Sequence, residues 1–369
     1  MYPISFQKNY FNLLLRFYPR YDTLKQEMLK FFYRNALEQR GLADIYIDLN
    51  SFLSSLYKRM DYTNDDPMTI ASSIINLAAH MRNFFATRFG VSTRIFLIYG
   101  NTRPLSAASI IPEYNAHTAM DMEVKQDITL NIEENLNIVE LLAQYIPEVY
   151  YVRSNETEPA VIMRSIMKIV SAADKKNKSF EGHRVPRFIM TKDMLTYQIV
   201  CCCNNTHVIR PKKSSNNDVS YTISYFDFYR KLSAELSLKN PIGEGISPEL
   251  YSFYMSLAGC KDRGIRSASN YPVTDNLIKR LISSGTIING YNIRPSIDPS
   301  FSSSVGINEE IGFENRFRAL DLLHQEIIFS ANPTFCNIGN SLVNLYDPDA
   351  VRQINNQYFR KYPLDLNVL

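Results

Sequence analysis

The sequence predicts an α/β protein with a mostly parallel central sheet flanked by helices, and two observations predict that class. Short apolar runs rich in β-forming residues occur at 45–50, 94–99, 148–153 and 187–191. Longer stretches with apolar residues at helical spacing separate these runs. Because strands that alternate with helices pair in parallel through right-handed crossovers, we expect the carboxyl ends of the strands to share one edge.

The first predicted strand, 45–50, carries one carboxylate, Asp48, near its carboxyl end. Open α/β sheets place their ligands at that edge, which makes Asp48 a candidate metal ligand. The alternative is that Asp48 caps the helix that follows, with Asn50 or Ser51 sharing that work. The residues around Asp48 leave both interpretations open.

The predicted helices are amphipathic stretches that connect these strands. Residues 69–89 form a long stretch that crosses over to the strand at 94–99, and 160–173 follows the third strand. A helix that starts at a Ser-Pro-Glu sequence is predicted at 247–259, because proline is favoured in a first helical turn. Two more are predicted at 272–284 and 315–328, and no strong period is found in 356–369.

The region between the fourth strand and the later helices predicts a hairpin. Residues 198–203 and 207–210 read as its two strands, with the three adjacent cysteines Cys201, Cys202 and Cys203 as strand core. The basic, Ser/Asn-rich segment 212–218 is predicted to be a polar loop.

Composition limits the classes of function. A chain of 369 residues can bury a large core, and its net charge of +3 is too balanced to indicate nucleic-acid binding by itself. The five cysteines show no metal-ligand spacing, which favours a reducing, intracellular compartment. No apolar run reaches the roughly 18 residues of a membrane span.

The chain has 24 tyrosines and 21 phenylalanines but no tryptophan, a composition typical of AT-rich genomes. We therefore expect a viral source, with host cytoplasm or virion as the location of the protein.

Six segments follow one another in an order that resembles a known superfamily. They are Ile45 to Tyr57, Phe96 to Pro104, Ile111 to Thr118, Thr157 to Ile162, Phe188 to Gln198 and Leu257 to Ser267. Together they resemble the flap endonuclease and 5'-3' exonuclease (PIN-like) superfamily, above all the phage RNase H and polymerase I 5'-nuclease branch. The resemblance implies hydrolysis of a phosphodiester near a 5' end by two divalent metals about 4 Å apart, held by several carboxylates.

Three acids match the family's acid positions, namely Asp48, Glu158 and Asp193. Other positions where the family has acids carry Tyr99, Ala160, Val161, Leu195, Cys260 and Arg263, with Asp262 beside the last. The family's steering cations are replaced by Asn115 and Thr118. The resemblance therefore implies a degenerate active site with Asp48, Glu158 and Asp193 as a residual metal site. We expect no cofactor, and Mg²⁺ is the ion that the residual site would take.

The alternative for Glu158 is a first-turn acid facing a helix dipole, since Pro159 follows it, and Asp193 can equally start a turn or a helix. If the resemblance holds, Asp48, Glu158 and Asp193 should converge at the carboxyl edge of the sheet. Cys260 and Tyr99 should then face the same depression.

The segment from Leu257 resembles the opening of the helix-three-turn-helix motif, which holds duplex backbone. The residues expected to bind nucleic acid there are Arg263, Arg266, Lys279 and Arg280. The family's later Gly-x-Gly is Asn270-Tyr271-Pro272 here, and Pro272 has no N–H to offer a phosphate. DNA or another nucleic acid is thus the expected partner, together with a protein partner in a larger assembly.

The domain organisation is predicted from the resemblance, which covers roughly residues 45–300, and from helical apolar spacing in residues 1–44, which have no counterpart in the compact family members. We expect an N-terminal helical extension at 1–44, a 5'-nuclease-like α/β core at 45–240, a helix-three-turn-helix-like region at 241–300 and a C-terminal helical region at 301–369.

Two functions from different classes remain, and the number of carboxylates discriminates between them. The favoured one is a catalytically inactive 5'-nuclease-like protein that binds nucleic acid or serves as a subunit of a nucleic-acid-processing or virion assembly. The alternative is an active metal-dependent 5'-3' exonuclease or flap endonuclease with a reduced metal site.

Overall fold

The structure is a computed structural model, and it describes 15 parts of the chain. They are 42–57, 68–114, 126–176, 185–201, 206–213, 218–224, 251–260, 263–268, 273, 277, 287–288, 292–293, 313–321, 347–359 and 364. Several predicted features lie outside them: residues 1–41 of the helical extension, Asn115, Thr118, Asp262, 270–272, Lys279 and Arg280.

A six-stranded sheet with strand order β3-β2-β1-β4-β5-β6 forms the centre of the fold. Its strands are β1 (Leu42–Asp48), β2 (Ser92–Gly100), β3 (Val149–Ser154), β4 (Arg187–Met190), β5 (Thr206–Lys213) and β6 (Asp218–Ser224). The first five strands are parallel to one another, and β6 pairs antiparallel with β5. The predicted α/β class with a mostly parallel sheet is confirmed. A small separate ribbon pairs β7 (Ile287–Ile288) with β8 (Asn292–Ile293).

Helices cover both faces of the sheet. They are α1 (Leu49–Tyr57), α2 (Thr69–Phe89), α3 (Leu105–Ile110), α4 (Gln126–Ala143), α5 (Pro159–Lys176), α6 (Tyr251–Ala258), α7 (Phe313–Leu320) and α8 (Pro348–Tyr358). A 3-10 helix, Met194–Cys201, follows β4. Within the described ranges, no helix combines the length and the apolar character needed to cross a membrane.

Two cores form because strand side chains alternate between the faces of the sheet. The first-face core contains Tyr46 and Phe96 of the strands and packs against α5, the 3-10 helix, α6 and α7. The second-face core contains Ile47 and Leu97 and packs against α1, α2, α4 and α8. The central strand β1 is buried on both faces, which explains its nearly continuous apolar sequence.

The predicted hairpin of 198–203 with 207–210 is wrong. Residues up to Cys201 continue the 3-10 helix, so Cys201 does not lie on a strand, and Cys202 and Cys203 are outside the described residues. The hairpin is formed instead by β5 and β6, which pair Lys213 with Asp218 and so include both ends of the predicted polar loop. A short apolar run such as 198–201 does not reveal from periodicity alone whether it is a buried helix or a strand.

Helix α8 lies within the helical region expected at 301–369, although no individual helix was predicted at its position. Asp347 caps it by accepting from the backbone N–H groups of Asp349 and Ala350, both at 3.0 Å, and Pro348 occupies the first helical position. Its apolar side, including Ile354, packs into the second-face core. The C-terminal helices therefore pack on the sheet, α7 on one face and α8 on the other.

Candidate functional site

The three predicted acids all lie at the carboxyl edge of the sheet, and each immediately precedes a helix. Asp48 ends β1 before α1, Glu158 precedes α5, and Asp193 precedes the 3-10 helix after β4. Strands β1 and β4 are adjacent and parallel, so they bring Asp48 and Asp193 next to each other. Glu158 follows the edge strand β3 and reaches the same place by a different route.

Asp48 is almost fully buried and accepts three hydrogen bonds. Oδ1 accepts from the backbone N–H of Ser51 at 3.1 Å, and Oδ2 accepts from the hydroxyls of Ser51 at 2.5 Å and Thr191 at 2.6 Å. Burial raises the pKa of Asp48, although these hydrogen bonds oppose the rise. Asp48 therefore caps α1, as one of the two interpretations of the sequence proposed, and also ties β1 to the end of β4.

Thr191 links Asp48 to Asp193. Its hydroxyl donates to Asp48 and accepts from the backbone N–H of Asp193 at 2.9 Å. Oδ1 of Asp193 in turn accepts from the backbone N–H of Leu195 at 3.0 Å and so starts the 3-10 helix. This chain of hydrogen bonds holds one oxygen of Asp193 in place and leaves Oδ2 facing the site.

Glu158 reaches the site because the segment that carries it crosses over the end of β2. The backbone N–H of Asn101 donates to the carbonyl of Thr157 at 2.9 Å. At Gly100, a Cβ would lie 2.6 Å from Pro159 N and from Thr157 O. Only glycine allows so close a passage, and the crossing brings Glu158 from the sheet's edge toward its centre.

The amide side chain of Asn50 supports the end of β2. Its Nδ2 donates to the carbonyl of Gly100 at 2.7 Å, and its Oδ1 accepts from the Gly100 N–H at 3.0 Å. Asn50, which the sequence suggested as a helix cap, thus extends the pairing of β1 with β2 instead.

Arg263 lies between Glu158 and Asp193. Its Nη1 is 2.9 Å from Glu158 Oε2, and its Nη2 is 2.5 Å from Asp193 Oδ2. The guanidinium carbon lies 5.5 Å from the centroid of the Tyr114 ring, and the Tyr114 hydroxyl donates to the other oxygen of Glu158, Oε1. Arg263 is 7% exposed, Tyr114 is fully buried and Glu158 is 4% exposed, so these charges interact with little screening by water.

The electrostatics of this cluster depend on burial and on Arg263. Burial raises the pKa of Glu158 to about 7, although the Arg263 guanidinium opposes the rise. Burial by itself would lower the pKa of Arg263, but Asp193 and Glu158 raise it well above its ordinary value. Burial also raises the pKa of Tyr114, so its hydroxyl remains a donor to Glu158. The cluster therefore holds one permanent cation against two carboxyl groups.

The loop after α6 places Arg263. Gly259 has φ +81°, and a Cβ there would lie 2.6 Å from Ser267 N, so the loop folds back closely onto its own start. Cys260 and Ile265 form a bridge with backbone hydrogen bonds of 2.9 and 3.0 Å. The Arg263 N–H donates to the Cys260 carbonyl at 3.0 Å, which fixes Arg263 at the turn of this closed loop.

The prediction that Cys260 and Tyr99 face the same depression is wrong, because they pack with opposite faces of the sheet. Cys260 is buried in the first-face core beside the Arg263 loop. Tyr99 packs against the second-face core, and the guanidinium of Arg153 lies 5.7 Å from its ring centroid. Ile98 belongs to the first-face core, so Tyr99, the next residue on the strand, points to the opposite face.

Other positions where the family pattern has acids contribute to packing. Ala160, Val161 and Leu195 are at most 2% exposed and belong to the first-face core. Among the residues that the structure describes, no three His, Cys, Asp or Glu side chains form a group able to hold a metal ion.

The residues at this edge do not fit the Mg²⁺ that the resemblance implies. Mg²⁺ requires oxygen ligands at about 2.0–2.1 Å in near-octahedral geometry. The inward-facing oxygens of Glu158 and Asp193 are both within 2.9 Å of a guanidinium that does not lose its proton in proteins. A divalent ion between these two carboxylates would have to displace Arg263.

The residues expected to bind nucleic acid have different locations. Arg263 is buried in the site and ion-paired, which corrects its expected place at a surface that grips duplex backbone. Arg266 is exposed, and its carbonyl accepts a hydrogen bond from Arg316 of α7. Lys279 and Arg280 lie outside the described residues.

A second charge cluster, at the opposite end of the sheet, was not found from the sequence. Asp44 is fully buried and pairs with Arg94, through Nε at 2.6 Å and Nη2 at 3.0 Å, while Arg187 Nε lies 3.5 Å away. The three residues are cross-strand neighbours on β2, β1 and β4. The available signal was a charged residue near the start of each of three predicted apolar strands.

The fold and the site define an α/β protein with a mostly parallel sheet whose carboxyl edge gathers three acids and one buried arginine. No protein-family model matches the chain, and no curated protein matches its sequence.

Among solved structures, the chain is similar to a bacteriophage T5 flap endonuclease in a pseudo-enzyme–product complex with DNA and metal ions. The TM-score is 0.47 at 13% identity, with 89% of this chain and 98% of that chain covered. The chain is also similar to the catalytic core of Rad2 in complex with a DNA substrate. The TM-score is 0.41 at 10% identity, with 86% of this chain and 89% of that chain covered. For human GEN1 in complex with Holliday junction DNA, the TM-score is 0.39 at 12% identity, with 86% of this chain and 68% of that chain covered.

Proposed function

We propose that this protein binds nucleic acid through a 5'-nuclease-like α/β fold and does not hydrolyse phosphodiesters by a two-metal mechanism. The position of Arg263 between Glu158 and Asp193 carries the proposal. Two-metal hydrolysis needs carboxylates that are free to bind cations on both sides of the scissile phosphate. Here the inward oxygens of two of the three acids neutralise a permanent cation of the protein itself.

The other side chains at this edge do not supply enough oxygen ligands to hold two metal ions. The third acid, Asp48, has both oxygens engaged by Ser51 and Thr191. Ala160, Val161 and Leu195 have no ligand atoms, and Cys260 is a soft ligand that hard Mg²⁺ does not select.

The assay for hydrolysis uses 5'-flap, nicked and single-stranded DNA with Mg²⁺ or Mn²⁺. We expect no cleavage above background for the wild type, and the same result for Asp48→Ala and Asp193→Ala. Metal-dependent cleavage by the wild type that both substitutions abolish would refute the proposal and favour an active nuclease with a reduced site.

Binding of nucleic acid is supported by exposed arginines on two joined elements. Arg266 lies on the loop after α6 and Arg318 lies on α7, and both are exposed. The hydrogen bond from Arg316 to the Arg266 carbonyl ties this loop to α7, so the two arginines lie on elements that pack against each other. Arginine contacts to phosphates release counterions, so affinity should fall as salt rises, and sequence preference should be slight.

Titration of a nicked or flap duplex at low and moderate salt measures this binding. We expect Arg266→Ala combined with Arg318→Ala to weaken binding and to reduce its salt dependence. Arg352→Ala is the matched control, because Arg352 is an exposed arginine on α8, which packs on the opposite face of the sheet. Absent or salt-independent binding by the wild type would refute a nucleic-acid role and favour a subunit role in an assembly.

A further inference from the structure

We infer that Arg263 is a built-in substitute for a divalent cation, and that removing its guanidinium opens a divalent-cation site between Glu158 and Asp193. The inference deepens the proposed function and rests on it, since it explains how the acids at this edge remain paired without a metal. Its first basis is the geometry of the guanidinium, which points one nitrogen at each carboxylate, at 2.9 and 2.5 Å.

Arg263 joins parts of the chain that are far apart in sequence. Glu158 lies at the start of α5, Asp193 follows β4, and Arg263 is on the loop after α6. Glu158 is buried and Asp193 is partly buried, and two carboxylates that share one small space repel each other and need a positive charge between them. A guanidinium or a divalent ion can each meet that need, and this chain supplies the guanidinium from the side chain of Arg263.

The two carboxylates are held in place by groups other than Arg263. Tyr114 donates its hydroxyl to Oε1 of Glu158, and the backbone N–H of Leu195 donates to Oδ1 of Asp193. Their remaining oxygens, Oε2 and Oδ2, face Arg263. If the guanidinium is removed, these two oxygens therefore stay directed into the vacated space, and the site is preorganised for another cation.

The Oε2 atom of Glu158 is buried, and its charge partner is Nη1 of Arg263 at 2.9 Å. Shortening Arg263 removes this partner and leaves a buried carboxylate oxygen as an acceptor available to a metal ion.

The chemistry of the vacated space favours Mg²⁺ or Mn²⁺. Both remaining ligand atoms are carboxylate oxygens, which these hard ions prefer. Shortening the arginine to alanine removes the guanidinium and leaves room for an ion with its own water molecules. The wild type, in contrast, keeps its permanent cation and should not respond to these metals.

The experiment is thermal unfolding of the full chain in EDTA and in increasing Mn²⁺ or Mg²⁺. We expect the wild-type Tm to be independent of metal. Arg263→Ala should have a lower Tm in EDTA, and its Tm should rise with Mn²⁺ concentration, because an ion that binds only the folded state stabilises it. The double variant Arg263→Ala with Glu158→Gln should lose that rise.

Direct Mn²⁺ binding, followed by electron paramagnetic resonance, provides the second measurement, with Arg263→Gln as a variant that keeps more of the side-chain volume. We expect bound Mn²⁺ in Arg263→Ala or Arg263→Gln and none in the wild type. Equal binding by the wild type, or no binding by either variant, would overturn the inference. Neither readout involves DNA, so these outcomes are separate from those of the cleavage and DNA-binding assays.

Discussion

Asp48, Glu158 and Asp193 each occupy the residue before a helix, where the free N–H groups of a first turn favour a carboxylate. The same position lies at the carboxyl edge of the sheet, where a metal would bind. An acid there is consistent with capping and with metal binding, so residue type alone does not separate the two roles. The hydrogen-bond partners show the capping role, since Asp48 accepts from the backbone N–H of Ser51 and Asp193 accepts from the backbone N–H of Leu195.

At the residue scale, Glu158 predicts a specific pH dependence of stability. Burial raises its pKa from 4.5 to about 7 in the folded protein. The folded state therefore binds this proton more tightly than the unfolded state, and the free energy of unfolding should fall as pH rises from about 4.5 to about 7. Glu158→Gln removes this contribution, which is roughly 3 kcal/mol over that interval at about 1.4 kcal/mol per pH unit.

Urea denaturation of wild type and Glu158→Gln at several pH values between about 4 and 8 measures the difference. Subtracting the two curves isolates Glu158 from the other titrating groups. A difference that does not change with pH would show that Glu158 has the same pKa in the folded and unfolded states, which would refute the prediction.

At the scale of elements, the loop after α6 determines where Arg263 lies. Gly259→Ala should destabilise the protein more than Gly90→Ala. Both glycines have positive φ, +81° and +64°, so both variants incur the cost of a left-handed backbone, of order 1–2 kcal/mol. Only at Gly259 would the added Cβ also collide with backbone, at 2.6 Å from Ser267 N, whereas nothing lies within 4 Å of a Cβ at Gly90.

Thermal unfolding of these two variants provides the comparison, and Gly90→Ala is the matched control. The larger loss for Gly259→Ala should be accompanied by displacement of the Arg263 loop, visible as faster amide exchange at Arg263 and Ile265, whose N–H groups donate to Cys260. Equal losses of stability would mean that the loop moves away from the new Cβ at little cost.

Helices were predictable from the sequence where the apolar period was long, and strands were predictable where both of their faces are buried. Helix α2 was predicted with the bounds that it has, 69–89, and β1 to β4 were found within a few residues. The 3-10 helix was mistaken for a strand because its apolar residues, such as Tyr197 and Ile199, are buried without a visible period. The bond from Leu195 N–H to Asp193 starts that helix, and it depends on where β4 ends.

At the scale of the whole molecule, the C-terminal helix α8 completes one of the two cores. Phe359 is 2% exposed and lies in the second-face core with Ile47 of the central strand. Phe359→Ala should therefore destabilise the whole fold by about 3–5 kcal/mol, the usual cost of deleting a buried aromatic ring. Chemical denaturation measures it, with Gln353→Ala, an exposed position of the same helix, as the control.

A loss below about 1 kcal/mol for Phe359→Ala would indicate that α8 is not part of the cooperative unit. We expect instead a single transition for both variants, because α8 shares its core with α1, α2 and α4.

The sequence by itself determined the α/β class, the four parallel strands β1 to β4, the amphipathic helices between them and the three acids at the carboxyl edge. These follow from local periodicity and from the rule that parallel strands end at one edge. The resemblance put Arg263 at a position where the family has an acid, but only the tertiary structure decided that its guanidinium pairs with Glu158 and Asp193 and that Tyr99 faces away. The reason is physical: Arg263 is 70 residues from Asp193 along the chain, and its position depends on a close backbone approach at Gly259. Local sequence patterns do not encode the contact between such distant segments.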